Sequence, residues 1–436
     1  MKKTLRQFQI TGADFLEYTP HSMLGDEMGL GKTVTALLAC ERRRLKRVAV
    51  VCPASVRSNW KQEIVECLGE SALKNFEIES YNAAAASKFP TGPYDGIILD
   101  EAHFLKTVDS QRTQAIFGNK DGLVRGSEAA FKWCLTGTPV LNRPRELYPV
   151  LKTLHSKALA PHDNWDAFTN YFCGAYWDGR GINTKGATHI AELKEILKGF
   201  MLRRTKAEVM PELPPRIISH PAIELSPAEL SPVFEVEAEM GNREAFLSPT
   251  REDYSQLGDM ARMLKVVGVC KVPKIAEFVE DILRTEKKVV IFARHRDVIK
   301  GLEMALGHCL PAVYHGGMND AQKTRMVTEF MRNKDCEVFI GQIQAAGTGI
   351  NGLQTVCNNV VFAELSWVPG EMAQAIDRCH RIGQTASGVN VYLPHVPGTL
   401  ESAMLQVQLS KQTVIDALMG PTNSVKEEEN LLEGLI

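Results

Sequence analysis

The sequence predicts an α/β fold of two doubly wound parallel-sheet lobes, with helical protrusions between them. Three observations predict it. Short, continuous apolar runs recur in both halves, stretches of helical periodicity separate them, and the texture changes in the middle. Continuous apolar runs are what strands look like when both faces of a parallel sheet are covered. Alternating strands and helices give a sheet with helices on both sides.

Taken in order, the first-half runs are "RVAVVCPA", "YDGIILDEAH" and "FKWCLTGTP". Those of the second half are "KKVVIFARH", "PAVYHGG", "CEVFIGQ", "NNVVFAEL" and "GVNVYLP". After Thr33, the residues Val34, Leu37 and Leu38 share one helical face; from Val272, so do Ile275, Ala276, Val279, Ile282 and Leu283. Residues 150 to 200 hold aromatics and polar groups with few strand-like runs, and read as a mostly helical insertion. Between 205 and 265, Pro211, Pro214, Pro215, Pro221, Pro227 and Pro232 crowd together, which reads as a connector and not a sheet strand. The expected division is a first lobe over 1–210 with its insertion at about 145–200, a connector and second helical protrusion over 211–268, and a second lobe over 269–436. The acidic tail, "KEEENLLEGLI", reads as a frayed terminus.

At 436 residues the chain exceeds one ordinary core, and two or three domains are expected. It is 44% hydrophobic and 23% charged, as soluble globular proteins are. A net charge of -2 excludes a wholly basic coat for nucleic acid but leaves room for a local basic groove. Ten cysteines lie scattered without C-x-x-C pairs; Cys40, Cys52, Cys67 and Cys134 sit in apolar contexts and read as core. A reducing, intracellular setting is expected, and "MKKTLRQFQITGADF" lacks the apolar stretch of a secretion signal.

The chemistry begins at "GDEMGLGKT", residues 25 to 33. The usual phosphate loop, G-x-x-x-x-G-K-[ST], would place its first glycine where Asp26 stands. The working parts are nevertheless present. Gly29 and Gly31 let backbone N–H groups close on phosphates, Lys32 can reach the outer phosphates, and the Thr33 hydroxyl can meet magnesium. "GIILDEAH" then ends an apolar strand in two carboxylates. Asp100 suits a magnesium holder and Glu101 an activator of the attacking water, with His103 coupling them to neighbouring motifs. "LTGTP", residues 135 to 139, adds hydroxyls able to sense that acidic pair. In "QAIDRCHRIGQ", Arg378 and Arg381 are three apart, so a helix would put both on one face, where they could stabilise phosphoryl transfer.

In this order, "LRQFQITGADFL", "DEMGLGKT", "VVCPASVRSNWKQEI", "DEAH", "LTGTPVLN", "MLRRTKAEVMPELPPR", "VVIFARH", "HGGMN", "AAGTGIN" and "DRCHRIGQ" resemble the Swi/Snf family of helicase-like ATPases of superfamily two. Members of that superfamily commonly show the shorter phosphate loop. The stretch "FAELSWVPGEMAQAIDRCHRIGQ" is most similar to the annealing-helicase branch. The resemblance covers residues 5 to about 393. It implies RecA-like lobes with ATP and Mg2+ in the cleft between them. Gln9 then matches the adenine-reading glutamine, Lys32 and Thr33 the phosphate and metal contacts, and Asp100 and Glu101 the metal-holding and water-activating pair. Gly349 falls in the motif that approaches the nucleotide sugar, and Arg378 and Arg381 match the second-lobe arginines.

The resemblance also implies a monomeric motor that tracks along double-stranded DNA, including branched or fork DNA, without fully separating it. DNA contacts are expected on loops after strands, at Ser55, Arg57, Arg294 and Thr348, with His295 nearby. The cluster "ERRRLKR" at 41–47 reads as a solvated helix end, and Trp60 and Trp367 read as core. Two departures stand out. His315-Gly316 replaces a basic residue and an Asp-Gly, and Gln344 stands where many members have arginine. No histone-reading module is visible, so a bare motor is expected. Two rivals share the ATPase core: a strand-separating DNA or RNA helicase, and an ATP-gated DNA-binding switch.

Overall fold

In the computed structural model the described residues are 1–86, 93–118, 123–124, 127–179, 181–240, 257–346 and 350–419. They form two compact units. Of these residues, one unit holds Met1–Met210 together with Thr413–Met419, and the other holds Pro211–Gln412.

The first unit is a six-stranded, all-parallel sheet of β1 (His21–Leu24), β2 (Val48–Cys52), β3 (Phe76–Ser80), β4 (Gly96–Asp100), β5 (Phe131–Leu135) and β8 (Met201–Leu202), in the order β3-β2-β4-β5-β1-β8. Every residue of β2 and β4 is buried, as their unbroken apolar runs require. One face is covered by α1 (Gln7–Tyr18), α2 (Lys32–Arg42) and α3 (Arg57–Leu68), which bury Leu16, Leu37, Trp60 and Ile64. The other face is covered by a separate core around Ile97, Leu99, Ile116 and Leu151. Inserted between β5 and β8 are α4 (Tyr148–Leu154), α5 (Trp165–Cys173), α6 (Ile190–Lys198) and a two-stranded hairpin, β6 (Tyr176–Trp177) with β7 (Ile182–Asn183). Phe168, Phe172, Leu193 and Leu197 tie this insertion to the second core.

The second unit repeats the plan. β9 (Arg216–Ser219), β10 (Val289–Ala293), β11 (Ala312–Tyr314), β12 (Val338–Gln342), β13 (Asn359–Phe362) and β14 (Val389–Tyr392) run parallel in the order β11-β12-β10-β13-β14-β9. The helix Val272–Leu283 buries Val272, Ile275, Ala276 and Val279 against it.

Two expectations need correction. The proline-rich stretch does contain a sheet strand, because β9 pairs with β14 in register Arg216↔Val389. It escapes the proline argument because Pro215 precedes it and Pro221 follows it, and as the edge strand it donates to one neighbour only. The second correction concerns the arginine helix. It spans Pro369–Ile376 and stops before Arg378, so helical spacing does not place Arg378 and Arg381 on one face. Shorter turns follow instead, with Arg378 N donating to Ala375 O and Cys379 N to Ile376 O. The acidic tail, Thr348 and Gly349 lie outside the described residues.

Candidate functional site

At the carboxyl ends of β1, β4 and β5 the first unit gathers most of the singled-out residues. The loop after β1 turns through two left-handed glycines, Gly29 (φ 82) and Gly31 (φ 79), and Gly31 caps the start of α2. Only glycine fits at Gly31. Its φ is positive, and a Cβ there would lie 2.4 Å from Gln9 Nε2. Gln9 is buried and fixed at both ends of its amide: Nε2 donates to Leu30 O (3.2 Å), and Oε1 accepts from Arg6 N (3.0 Å). Lys32 Nζ reaches back over the loop to Asp26 O (2.9 Å) and Glu27 O (3.4 Å). Consecutive left-handed and right-handed backbone at a helix start aims N–H groups at one point, a cradle for phosphate oxygens.

Asp100 ends β4, buried, with Oδ2 accepting from Trp60 Nε1 (2.7 Å) and Oδ1 from Glu101 N (3.0 Å). Burial, with the neighbouring Glu101 charge, pushes the Asp100 carboxyl up to about 6. A buried carboxylate held by two neutral donors is a fitting partner for a cation. Glu101 sits at φ 51, ψ 50, in the left-handed region that a non-glycine residue occupies at a cost of about 1–3 kcal/mol. That turn swings its carboxylate to within 3.3 Å of His103 Nδ1. His103 Nδ1 in turn shares a hydrogen bond with Thr136 Oγ1 (3.0 Å) and lies 3.4 Å from Thr138 Oγ1. The loop after β5 is pressed against the phosphate cradle, since a Cβ on Gly137 would stand 3.1 Å from Lys32 Nζ. Gln9, Gly29, Gly31, Lys32, Thr33, Asp100 and Glu101 thus belong to one unit and, with His103 and the Thr-Gly-Thr turn, converge on its sheet edge.

Sequence reasoning missed the residues that brace this edge. Asp26, the substitute for the outermost glycine, is buried in a two-pronged ion pair with Arg204: Nε donates to Oδ1 (2.9 Å) and Nη2 to Oδ2. Glu27 accepts from Lys206 N (2.7 Å), and Arg203 Nη1 donates to Gly25 O (2.9 Å) and Gly137 O (3.2 Å). The segment "RRTK" therefore laces the phosphate loop to the Thr-Gly-Thr turn. Charged residues at a position that usually takes glycine were the available signal. Trp60 gave none in sequence. Restoring the missing glycine, Asp26→Gly, is predicted to destabilise the fold by about 3 kcal/mol. That is the low end for a buried pair losing one partner, because Arg204 keeps some solvent. Urea unfolding measures it, and a loss below about 1 kcal/mol, the size of an exposed ion pair, would show the pair to be dispensable.

In the second unit Arg378 and Arg381 do meet, by another route than a helix. Arg378 Nη1 donates to Ile350 O (3.2 Å) and Arg381 Nη1 to Asn351 Oδ1 (2.7 Å), so both grip one short loop. Gly383 (φ 97) turns the chain, and Gln384 Nε2 bonds Cys379 O and Cys357 O (3.0 Å each) to fix that turn. His380 Nε2 donates to Pro214 O (2.9 Å), tying the turn to the chain just before β9. Burial lowers the Arg381 pKa, partly offset by Asp377.

A second network lines the ends of β10 to β13. Glu364 Oε2 accepts from Arg294 N and His295 N (2.8 Å each), and Oε1 meets His295 Nδ1 (2.5 Å). Gln342 Oε1 accepts from Gly316 N (3.0 Å) and its Nε2 donates to Arg294 O (3.2 Å). His315, one of the departures, lies 3.3 Å from Arg296 Nη2, and Gln344 is exposed. On the first unit, Ser55 sits in the turn before α3 and Arg57 Nη1 donates to Glu79 Oε2 (3.0 Å). The 41–47 cluster is paired on its own surface, Arg42 with Asp14 and Glu17, and Arg47 with Glu77. Trp60 is buried and Trp367 packs on the second unit's core.

Two parallel-sheet units, one carrying a phosphate loop after β1 and Asp-Glu-Ala-His at the end of β4, two strands along the same sheet, define the helicase-like ATPase class. The SNF2-related domain matches residues 8–91 and 78–246, more than half the chain, and the helicase conserved C-terminal domain matches residues 273–383. The protein belongs to the SNF2-related family. It is similar to the DNA annealing helicase and endonuclease ZRANB3 of Bos taurus, 28% identical over all of this chain and 42% of that protein. The ZRANB3 of Homo sapiens is 28% identical over 98% of this chain and 42% of its own length. SWI/SNF-related matrix-associated actin-dependent regulator of chromatin subfamily A-like protein 1 of Drosophila melanogaster is also 28% identical, over 98% of this chain and 59% of its own. The chain thus spans about half the length of these relatives. A Sulfolobus solfataricus SWI2/SNF2 ATPase core in complex with dsDNA is similar over 96% of this chain and 94% of its own, at 21% identity and a TM-score of 0.44. No helix among the described residues is long and apolar enough to cross a membrane.

Proposed function

We propose that the protein is an ATP-driven translocase on double-stranded DNA, of the remodelling or fork-reversing kind, whose hydrolysis DNA stimulates. The observation that carries the reading is Glu101. Its carboxylate is held out at the end of β4 by a strained left-handed backbone, beside His103 and the Thr-Gly-Thr turn. A protein that only bound nucleotide would have no use for a water-activating carboxylate so placed. The relatives' names, a DNA annealing helicase among them, support DNA as the track.

In this reading the glycine cradle and Lys32 bind the β- and γ-phosphates of ATP, and Gln9 reads the adenine. Thr33 and Asp100 hold Mg2+, which supplies charge neutralisation on the phosphates when bound. Glu101 orients the attacking water and accepts its proton, while His103 reports the state of that carboxylate to Thr136 and Thr138. Arg378 and Arg381 stabilise the transferred phosphoryl group. Ser55, Arg57, Arg294 and Thr348 contact the DNA backbone. For Arg57 that means exchanging Glu79 for phosphate.

Steady-state ATP hydrolysis by the purified chain, alone and with duplex DNA, single-stranded DNA or RNA at fixed low salt, tests the reading. Strong stimulation by duplex DNA is the expected result, followed by displacement of a triplex-forming strand. Preference for single strands or RNA would replace it with the strand-separating helicase, and hydrolysis indifferent to all three would refute a nucleic-acid motor.

A further inference from the structure

Within the first unit's insertion, β6–β7 exposes large apolar side chains that none of the described residues covers. Trp177 is 68% exposed and Ile182 66%. The register pairs Trp177 with Ile182 and Tyr176 with Asn183. Directly opposed residues of an antiparallel pair lie on the same face, so Trp177 and Ile182 form one apolar patch. On the other face Asn183 Nδ2 donates to Tyr176 Oη (3.2 Å).

The hairpin is firm at its base. A two-stranded ribbon alone is marginal in water. Here Arg145 Nη1 donates to Thr184 Oγ1 (2.7 Å), Arg143 Nη1 donates to Lys185 O, and Thr188 Oγ1 donates to Tyr171 O (2.5 Å). The base packs so closely that a Cβ on Gly186 would stand 2.4 Å from Cys173 O. At the tip, Asp178 N donates to Gly181 O (3.1 Å) and Gly181 N to Asp178 Oδ1 (3.0 Å). A Cβ added at Gly179 or Gly181 would meet nothing within 4 Å among the described residues, so there is open space beside both glycines.

We propose that this hairpin is a base-stacking pin, with Trp177 as the platform and Ile182 as its apolar flank, for unpaired nucleobases at a DNA branch. The proposal rests on the DNA-motor reading and adds to it a preference for branched over linear duplex. Size and charge select the occupant. Two side chains are far too small for a protein–protein interface, which needs about 800 Å² per partner, whereas one indole matches one base. The acid of the ribbon, Asp178, is engaged in its own turn, and the remaining charged residues from Tyr176 to Gly186 are Arg180 and Lys185, the sign that phosphates need.

The test is fluorescence anisotropy with a labelled fork carrying two unpaired arms and with a blunt duplex, at one low salt concentration, alongside duplex-stimulated hydrolysis. Trp177→Ala should weaken fork binding about tenfold, the loss of one base–aromatic stack, and change duplex binding by less than about twofold. Trp177→Phe should retain most of the fork affinity. Unchanged fork binding by Trp177→Ala, with wild-type DNA stimulation intact, overturns the pin alone. Equal losses on fork and duplex overturn it as a branch reader. A wild-type chain that binds neither DNA and shows no stimulation overturns the motor reading and the pin together.

Discussion

Glu101→Gln is expected to reduce ATP turnover by about 10²–10⁴-fold, the contribution of a positioned general base, with ATP still bound. Glutamine keeps the size and planarity of the side chain and leaves the left-handed backbone at position 101 with a residue no bulkier than before. What it removes is the ability to take a proton from water. Lys32→Ala is expected to abolish turnover by a different route, since its ammonium is the charge poised over the cradle, 2.9 Å from Asp26 O. The two variants should therefore separate in calorimetric titration with ATP: Glu101→Gln binds as the wild type does, and Lys32→Ala binds weakly. Normal hydrolysis by either purified variant would remove the phosphate loop and its carboxylate pair as the site. Weak ATP binding by Glu101→Gln would instead make Glu101 a residue that shapes the cradle through its contact with His103 at 3.3 Å.

The strands that sequence made legible are those buried on both faces, because burial leaves no room for polar residues and the run stays continuous. β2, β4, β5 and β10 to β14 are of this kind or close to it. The four sheet strands that escaped each break that rule. β1 is four residues with a histidine and a serine, β3 alternates as "FEIES" on an edge, β8 is two residues, and β9 hides among prolines. At the site, the residues with chemistry of their own were visible because few residue types can do that chemistry. Their supports were not. Trp60 holds Asp100 from 40 positions away, and Arg204 holds Asp26 from 178. Such pairs are set by how β1, β4 and β8 lie in the sheet, which one sequence does not record. The arginine pair shows the reverse case. Spacing suggested a helix, but the chain brings Arg378 and Arg381 to one loop through turns fixed by Gln384.

Arg381→Ala is expected to lower DNA-stimulated turnover by roughly 10³-fold or more, the scale set by arginine fingers in phosphoryl transfer. The local geometry favours such a role over a structural one. Arg381 donates to the neutral amide oxygen of Asn351, not to a carboxylate, at 2.7 Å. Burial lowers its pKa, which means the surroundings penalise its charge more than its neighbours repay it. A guanidinium in that condition gains by meeting an anion, and a transferring phosphoryl group carries the needed charge. Arg381→Lys separates charge from shape: an ammonium keeps the charge but cannot present the planar fork, so partial activity is expected. ATP binding should stay near wild type in both variants, because the contact strengthens as phosphoryl charge develops and not when substrate binds. A loss confined to ATP affinity, with turnover at saturation unchanged, would make Arg381 a ground-state contact. A mild effect on both would leave it as a residue that only secures the loop at Asn351.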